Sequence, residues 1–117
     1  MKVNLKRIYD EYEDADGLRI LVDRLWPRGI KKEKAQIDVW MKGVAPSTAL
    51  RKWFSHDPRK WQDFVSKYKE ELHGSMAFRE LMTLVKKHKT VTLLFTARDE
   101  KHNQAVALKK FVEGKLG

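Results

Sequence analysis

Two apolar stretches, at residues 18–23 and 91–97, constrain the fold of this chain more than any other feature. Each is a nearly continuous apolar run of strand length, which is typical of a strand buried on both faces of a parallel sheet. A predominantly helical segment separates them, and parallel strands joined in this way require a right-handed crossover. We therefore predict that the two strands lie parallel in one sheet, with their carboxyl ends at the same edge.

The rest of the chain predicts one more strand and several helices. Residues 3–9 have β-type content and alternate between two faces, as a strand does, and we expect a short helical turn at residues 37–41. Ser47, Asp57 and Asp99 are each interpreted as the N-cap of a helix. The clearest amphipathic helix follows Asp57, with apolar residues at helical spacing: Trp61, Phe64, Val65, Tyr68 and Leu72. We predict a single α/β domain over residues 1–117, with a small, mainly parallel sheet and helices packed on it.

Composition excludes several kinds of chemistry. The 117 residues include no cysteine, so thiolate nucleophiles, disulfides and cysteine-ligated metals are excluded. No histidine pair has metal-ligand spacing, no glycine-rich phosphate loop of a known type is present, and no serine lies in a nucleophile elbow. We expect no bound metal and no cofactor. The chain has no apolar run that could span a bilayer and no signal-peptide pattern, so a cytoplasmic protein without membrane contact is expected.

The positive charge is concentrated in the middle of the chain. Of 25 Lys and Arg against 16 Asp and Glu, residues 17–60 contain eleven basic and four acidic groups. Such a segment attracts phosphates or nucleic acid. The alternative is that a lysine-rich surface only keeps a small protein soluble.

Two arginines follow the first buried strand directly. Arg24 and Arg28 flank Trp26, and guanidinium groups match phosphate or carboxylate oxygens in a bidentate way. We interpret the pair as a clamp for an anion, with Trp26 as a wall or stacking surface. Alternatively, the two arginines form structural ion pairs with Asp23, Asp38 or Asp99 and hold loops together.

A second group of polar residues follows the other buried strand. Arg98, Asp99, His102 and Asn103 lie where a helix is expected to begin. The positive end of a helix favours a neutral imidazole, which could act as a base or a hydrogen-bond donor. Asp99 and His102 are therefore the candidate catalytic residues, although the sequence leaves open whether the protein is an enzyme. The alternative is a capped helix with solvated polar residues.

Arg51 and His56 complete the candidate site. They lie in the basic segment, and an imidazole close to arginines could contact an anion, although a loop histidine often has no function. The same segment mixes basic residues with Trp53, Phe54 and Trp61, a combination that could bind single-stranded nucleic acid by stacking and phosphate contact. Because these aromatic residues fall on predicted apolar helix faces, we interpret them as core.

The motifs together resemble a known family. The runs LVDRLWPRG at 21–29, APS at 45–47, LRKWF at 50–54 followed by His56-Asp57, VTLL at 91–94 and ARD at 97–99 are similar to the YeaO-like branch of the domain of unknown function 488 family. The resemblance covers nearly the whole chain and implies a small bacterial or archaeal α/β domain with no established activity. It also implies a set of characteristic polar residues: Arg24, Arg28, Arg51, His56, Arg98, Asp99, His102 and Asn103.

The leading hypothesis is a pocket for a small anionic ligand, phosphate- or nucleotide-bearing, at the carboxyl ends of the two buried strands, where open α/β sheets bind ligands. Arg24 and Arg28 would clamp the anion. Arg51 and His56 would close the rim, and Asp99, His102 and Asn103 would orient the ligand or transfer a proton. The alternatives are a nucleic-acid-associated accessory protein and a non-catalytic interaction module whose polar cluster is an internal ion-pair network.

Overall fold

The fold is built on one sheet of four parallel strands in the order β1-β4-β2-β3, in a computed structural model that describes residues 2–116. The strands have these bounds: β1 Lys2–Arg7, β2 Leu18–Leu21, β3 Val39–Trp40 and β4 Thr90–Phe95. The helices have these bounds: α1 Lys32–Ala35, α2 Thr48–Phe54, α3 Trp61–Leu72, α4 Met76–Lys87 and α5 Gln104–Leu116. The predicted α/β class with a small parallel sheet is confirmed.

The two apolar stretches form the central pair of strands, as predicted. β2 and β4 run parallel, with Leu18 opposite Val91 and Leu21 opposite Leu94. Both strands are almost entirely buried because helices cover one face of the sheet and a long loop covers the other. Their carboxyl ends therefore lie side by side at one edge of the sheet.

Helices α2 to α5 pack on one face of the sheet and form the main core. β2 and β4 contribute Ile20, Leu93 and Phe95 to this core, and Phe64 and Leu108 come from the helices. A smaller apolar cluster lies on the opposite face, where Trp26 and Trp40 cover Leu21 and Leu94. No helix in the described part of the chain is long and apolar enough to cross a membrane.

The prediction of a helical turn at residues 37–41 is wrong, because this stretch forms the edge strand β3. The backbone N–H of Asp38 donates to the carbonyl of Arg19, and that of Met41 donates to the carbonyl of Leu21. Apolar residues that are too few to show a period take the structure that their neighbours impose, and here the neighbour is the open edge of β2.

Two predicted N-caps are confirmed. Ser47 Oγ accepts the N–H of Leu50 at 3.1 Å and caps α2. Asp57 Oδ1 accepts the N–H of Arg59 at 3.0 Å and opens a short 3-10 turn that leads directly into α3. Ser47 fixes where α2 begins, and Asp57 fixes where the turn into α3 begins, so the loop containing His56 lies directly before the second cap.

The prediction that Trp53 belongs to the core is wrong. Phe54 is buried and Trp61 packs against the core, but Trp53 is 36% exposed on the outer face of α2. The ammonium groups of Lys60 and Lys67 lie 5.1 and 5.2 Å from the centre of its ring. Two lysines therefore already contact the ring on which a base would have to stack.

A buried ion cluster lies on the second face of the sheet. The Asp16 carboxylate contacts the Arg19 guanidinium and lies 2.9 Å from Lys6 Nζ. Arg19 is only 2% exposed and also donates to the carbonyl of Gln36 at 2.9 Å. This cluster attaches the acidic loop between β1 and β2 to the sheet.

Candidate functional site

A cavity of about 720 Å³ opens at the carboxyl ends of β2 and β4. Its floor is formed where β2 and β4 end, and its walls come from the loop after β2, from α2 with the residues on either side of it, and from the loop before α5. Nine residues singled out from the sequence line it: Arg24, Trp26, Arg28, Arg51, His56, Arg98, Asp99, His102 and Asn103. The two polar groups that follow the buried strands therefore face the same space.

Asp23 lies at the floor of the cavity, shortly after the end of β2, and its side chain contacts the residue that follows β4. Its Oδ2 accepts the backbone N–H of Thr96 at 3.0 Å and the Thr96 hydroxyl at 2.7 Å, and its Oδ1 accepts the side-chain amide of Gln104. Its backbone carbonyl accepts the indole N–H of Trp40 at 2.7 Å. Asp23 thus joins β3, β4 and α5 at the base of the site.

Burial raises the pKa of Asp23 above its usual value, and hydrogen bonds from Thr96 and Gln104 and the charge of Arg51 act in the opposite direction. Desolvation disfavours a charged carboxylate, whereas donors and nearby cations favour it. The raised pKa means that the first effect is the larger one at this floor.

Arg24 and Arg51 form the inner basic pair of the cavity. Nη2 of Arg24 donates to the carbonyls of Ala45 (3.4 Å) and Pro46 (3.3 Å), and Nη2 of Arg51 donates to Thr48 Oγ1 (3.4 Å). The Nε atoms of both arginines are buried and have no hydrogen-bond partner. A buried donor without a partner is unfavourable by about 1–3 kcal/mol. Because these two atoms are closed to solvent, a ligand in the cavity would contact other atoms of the two arginines.

The alternative that the arginines of the loop after β2 form ion pairs with aspartates is wrong. In the described part of the chain, the carboxylates of Asp16, Asp57 and Asp99 pair with other residues, and neither Arg24 nor Arg28 is in an ion pair. The cavity therefore contains positive charge that no side chain of residues 2–116 neutralises by direct contact.

Arg28, Arg98 and His56 lie at the solvent-exposed rim of the cavity. The Tyr9 hydroxyl donates to the backbone carbonyl of Arg28 at 3.1 Å and ties the loop after β2 to the end of β1. His56 has a φ of +55°, in the left-handed region, because the chain turns sharply between α2 and α3. The predicted clamp of Arg24 with Arg28 is therefore split into an inner and an outer arginine.

Trp26 forms a rigid part of the wall. Its indole N–H donates to the carbonyl of Ile30 at 2.6 Å, and its ring meets the Trp40 ring edge-on at a centroid distance of 5.3 Å. These contacts fix the orientation of the ring, as expected of a wall rather than of a mobile stacking group.

The prediction that Asp99 caps the last helix is wrong, because α5 begins five residues later, at Gln104. Asn103 is the cap, with its Oδ1 accepting the N–H of Val106 at 3.1 Å and its Nδ2 donating to the carbonyl of Asp99 at 2.9 Å. His102 therefore precedes the helix, and the argument from its first turn does not apply. Both polar ends of the buried Asn103 amide are occupied, so this residue shapes the loop.

Asp99 and His102 form a hydrogen-bonded pair in that loop. Asp99 Oδ2 lies 2.9 Å from His102 Nδ1, and Asp99 Oδ1 accepts the backbone N–H groups of Lys101 (2.9 Å) and His102 (3.0 Å). The Lys101 amide, followed by the His102 ring, lowers the pKa of the Asp99 carboxyl. With Nδ1–H donating to the carboxylate, Nε2 of a neutral His102 is an acceptor.

Sequence reasoning missed the floor of the cavity. Asp23 was considered only as an ion-pair partner for the arginines, although its place after a buried strand could have indicated a site residue. Thr96, Gln104 and Tyr9 also line the cavity, and no motif marks them. His73 and His88 are exposed and lie away from it, and the described residues contain no group of three side chains arranged for a metal ion.

A family model and several relatives match this chain over most of its length. The family model described as the inactive DUF488-N3 subclade matches residues 2–117. The chain is 41% identical over 108 residues to the uncharacterized protein YeaO of Escherichia coli, covering 92% of this chain and 94% of the relative. It is 39% identical over 114 residues to an uncharacterized protein of Mycobacterium tuberculosis, covering 97% and 96%. No solved structure matches the chain significantly.

Proposed function

Since the chain belongs to the YeaO-like DUF488 family, in the subclade described as inactive DUF488-N3, we propose that it binds a small phosphate-bearing anion in the cavity without transforming it. One observation carries this proposal. Four arginines line a single cavity, and none of them has a carboxylate within ion-pair distance among the described residues.

The balance of charge favours an anion. The lining contains the guanidinium groups of Arg24, Arg28, Arg51 and Arg98, against the two carboxylates of Asp23 and Asp99. One carboxylate is at the floor, where it is bound by Thr96 and Gln104, and the other is occupied by His102. The cavity is therefore net positive, and an enclosed positive site raises the local concentration of anions.

A phosphate group suits the inner pair of arginines better than a carboxylate does. Arg24 and Arg51 both line the cavity, and each guanidinium presents several N–H donors in a planar fork. A phosphate monoester has three terminal oxygens and about two negative charges, so it can accept from both arginines at once. Arg28, Arg98 and His56 at the rim would attract the anion and cover it.

The ligand-binding proposal is tested by replacing the inner pair together. We expect the Arg24→Gln, Arg51→Gln double variant to bind inorganic phosphate and phosphate monoesters at least about a hundredfold more weakly than the wild type, because charge-assisted hydrogen bonds contribute about 1.5–3 kcal/mol each. Isothermal titration with a panel of phosphorylated metabolites measures the affinities, and thermal shifts report them independently.

Arg79→Gln is the matched control, since Arg79 is exposed on α4 and does not line the cavity. The proposal is wrong if the control and the double variant bind the panel equally, or if the wild type binds no phosphorylated compound. Tight binding of single-stranded nucleic acid that falls steeply with salt, and that the double variant retains, would favour the nucleic-acid alternative.

A second candidate function is proton transfer by His102, and the Asp99–His102 hydrogen bond favours it. A carboxylate that fixes the tautomer of an imidazole is the arrangement by which enzymes orient a general base. If this function operates, the wild type should convert a bound phosphorylated compound, and His102→Gln should abolish the conversion while leaving the affinity nearly unchanged. ³¹P and ¹H NMR of the incubated ligand detect any product, and an unaltered spectrum after prolonged incubation rules the candidate out.

A further inference from the structure

The carboxylate of Asp23 has room for one more hydrogen bond. It accepts three, two from Thr96 and one from Gln104, whereas an ionised carboxylate offers about four acceptor sites. Asp23 lines the cavity although only 8% of its surface is exposed. A ligand in the cavity could therefore supply a fourth donor to this carboxylate.

A carboxylate at this position is unfavourable for binding a bare anion. Its negative charge repels phosphate in a partly dehydrated site, where charges interact more strongly than in water. The hydrogen bonds from Thr96 and Gln104 require an acceptor at this position but not a negative charge, since a neutral amide oxygen could accept part of them. The floor is thus better suited to a ligand that presents a hydrogen-bond donor as well as an anion.

The cavity is larger than inorganic phosphate requires, and part of its wall is apolar, which inorganic phosphate would not use. A volume of about 720 Å³ is within the range of about 300–1,000 Å³ that is typical of sites for whole organic ligands. Leu25, Trp26, Pro27 and Phe54 supply an apolar wall beside the arginines. Leu25 lines the cavity and is 69% exposed, so its side chain is available for contact with a ligand.

From these features, and resting on the proposed function, we infer that the ligand is an organic phosphate with a ring and a hydroxyl or amino group, and that Asp23 selects for that group. The phosphate would contact Arg24 and Arg51, the ring would lie against Leu25 and Trp26, and the hydroxyl or amino group would donate to Asp23. Nucleoside monophosphates carry all three features.

The first test uses the wild-type protein and matched ligands. Titrations would compare inorganic phosphate, adenosine and guanosine 5′-monophosphates, their 2′,3′-dideoxy analogues, and purine riboside 5′-monophosphate, which lacks the exocyclic amino group. We expect a nucleotide to bind more tightly than phosphate, and removal of the donor that faces Asp23 to weaken binding about 10- to 100-fold, since hydrogen bonds to charged groups contribute about 1.5–3 kcal/mol.

The second test uses Asp23→Asn, for which the two classes of ligand should respond in opposite directions. Loss of the negative charge should tighten the binding of inorganic phosphate severalfold and weaken the binding of the donor-bearing nucleotide about tenfold or more. The ligand comparison in the wild type decides the matter alone if this variant does not fold.

The outcomes separate the two proposals. If phosphate and nucleotides bind through Arg24 and Arg51 but all the analogues bind equally, the role of Asp23 is wrong and the anion site stands. If phosphate binds at least as tightly as every nucleotide, the inferred ligand class is wrong. If neither phosphate nor any phosphate ester binds, both proposals fall together.

Discussion

Replacement of Asp16 by asparagine should lower the free energy of unfolding by about 3–5 kcal/mol, because it leaves a buried guanidinium without its counter-charge. Arg19 is 2% exposed, and the Asp16 carboxylate is the anion that it contacts directly. The carbonyls of Gln36 and Ala35 would still accept its N–H groups but would not neutralise its charge. Lys6, 13% exposed at its side chain, would lose the same partner.

Urea denaturation followed by tryptophan fluorescence measures this loss, and the slope against denaturant should stay unchanged if only stability is altered. Asp14→Asn is the matched control, since Asp14 lies in the same turn and is exposed. Exposed substitutions of this kind usually change stability by less than about 0.5 kcal/mol. If Asp16→Asn lowered the free energy of unfolding no more than the control does, the Asp16–Arg19 ion pair would not stabilise the protein in solution.

The pH dependence of the same variant provides an internal check. Burial raises the pKa of Asp16, but the hydrogen bonds from Lys6, from the Glu13 backbone and from Arg19 outweigh it, so the pKa is lowered. A lowered pKa means that the folded state favours the ionised form, and the resulting stability is present above the unfolded value of about 3.9. As the pH falls through the folded-state pKa this stability is lost, so the difference between wild type and Asp16→Asn should shrink in acid.

The strand ends were predictable from sequence because burial leaves a strong pattern. The runs at residues 18–23 and 91–97 are apolar on both faces, which is typical of strands in a parallel sheet covered on both sides. Once the two strands are paired in parallel, the polar residues that follow them must converge. The meeting of Arg24 with His102 at one cavity therefore followed from topology rather than from any motif.

The sequence did not predict the start of α5 correctly, because two positions were equally favourable as its N-cap. Asp99 and Asn103 are both favourable N-cap residues, four positions apart, and the sequence contains nothing that decides between them. The carbonyl of Asp99 instead accepts the Asn103 side chain, which moves the start of α5 one turn along the chain. The floor of the cavity was missed because the partners of the Asp23 carboxylate, Thr96 and Gln104, lie 73 and 81 residues away in sequence.

Replacement of Gly17 by alanine should be the most damaging glycine-to-alanine change among the described residues, because the backbone and the available space both exclude a side chain there. Gly17 has a φ of +67°, and a Cβ at this position would lie 2.2 Å from the backbone carbonyl oxygen of Thr90. A residue with a side chain at φ +67° and ψ −138° is strained by about 1–3 kcal/mol, and forced overpacking adds about 1–3 kcal/mol. We expect a total loss of about 2–6 kcal/mol.

Gly29→Ala separates the two contributions. Gly29 has a φ of +82°, but no atom lies within 4 Å of a Cβ built there, so only the backbone term applies and about 1–2 kcal/mol should be lost. The excess loss in Gly17→Ala, read from chemical denaturation of both variants, measures how closely the turn before β2 approaches the start of β4. Equal losses would mean that β4 shifts to make room.

The position of Gly17 also makes this variant informative about the site. Gly17 lies at the amino end of β2, whereas the cavity lies beyond the carboxyl ends of β2 and β4. Well below its melting temperature, Gly17→Ala should therefore keep the wild-type affinity for phosphate esters, while the Arg24→Gln, Arg51→Gln double variant loses affinity at little expense in stability. If Gly17→Ala lost affinity as well, the cavity would depend on the register between β2 and β4, and the arginine pair alone would not account for binding.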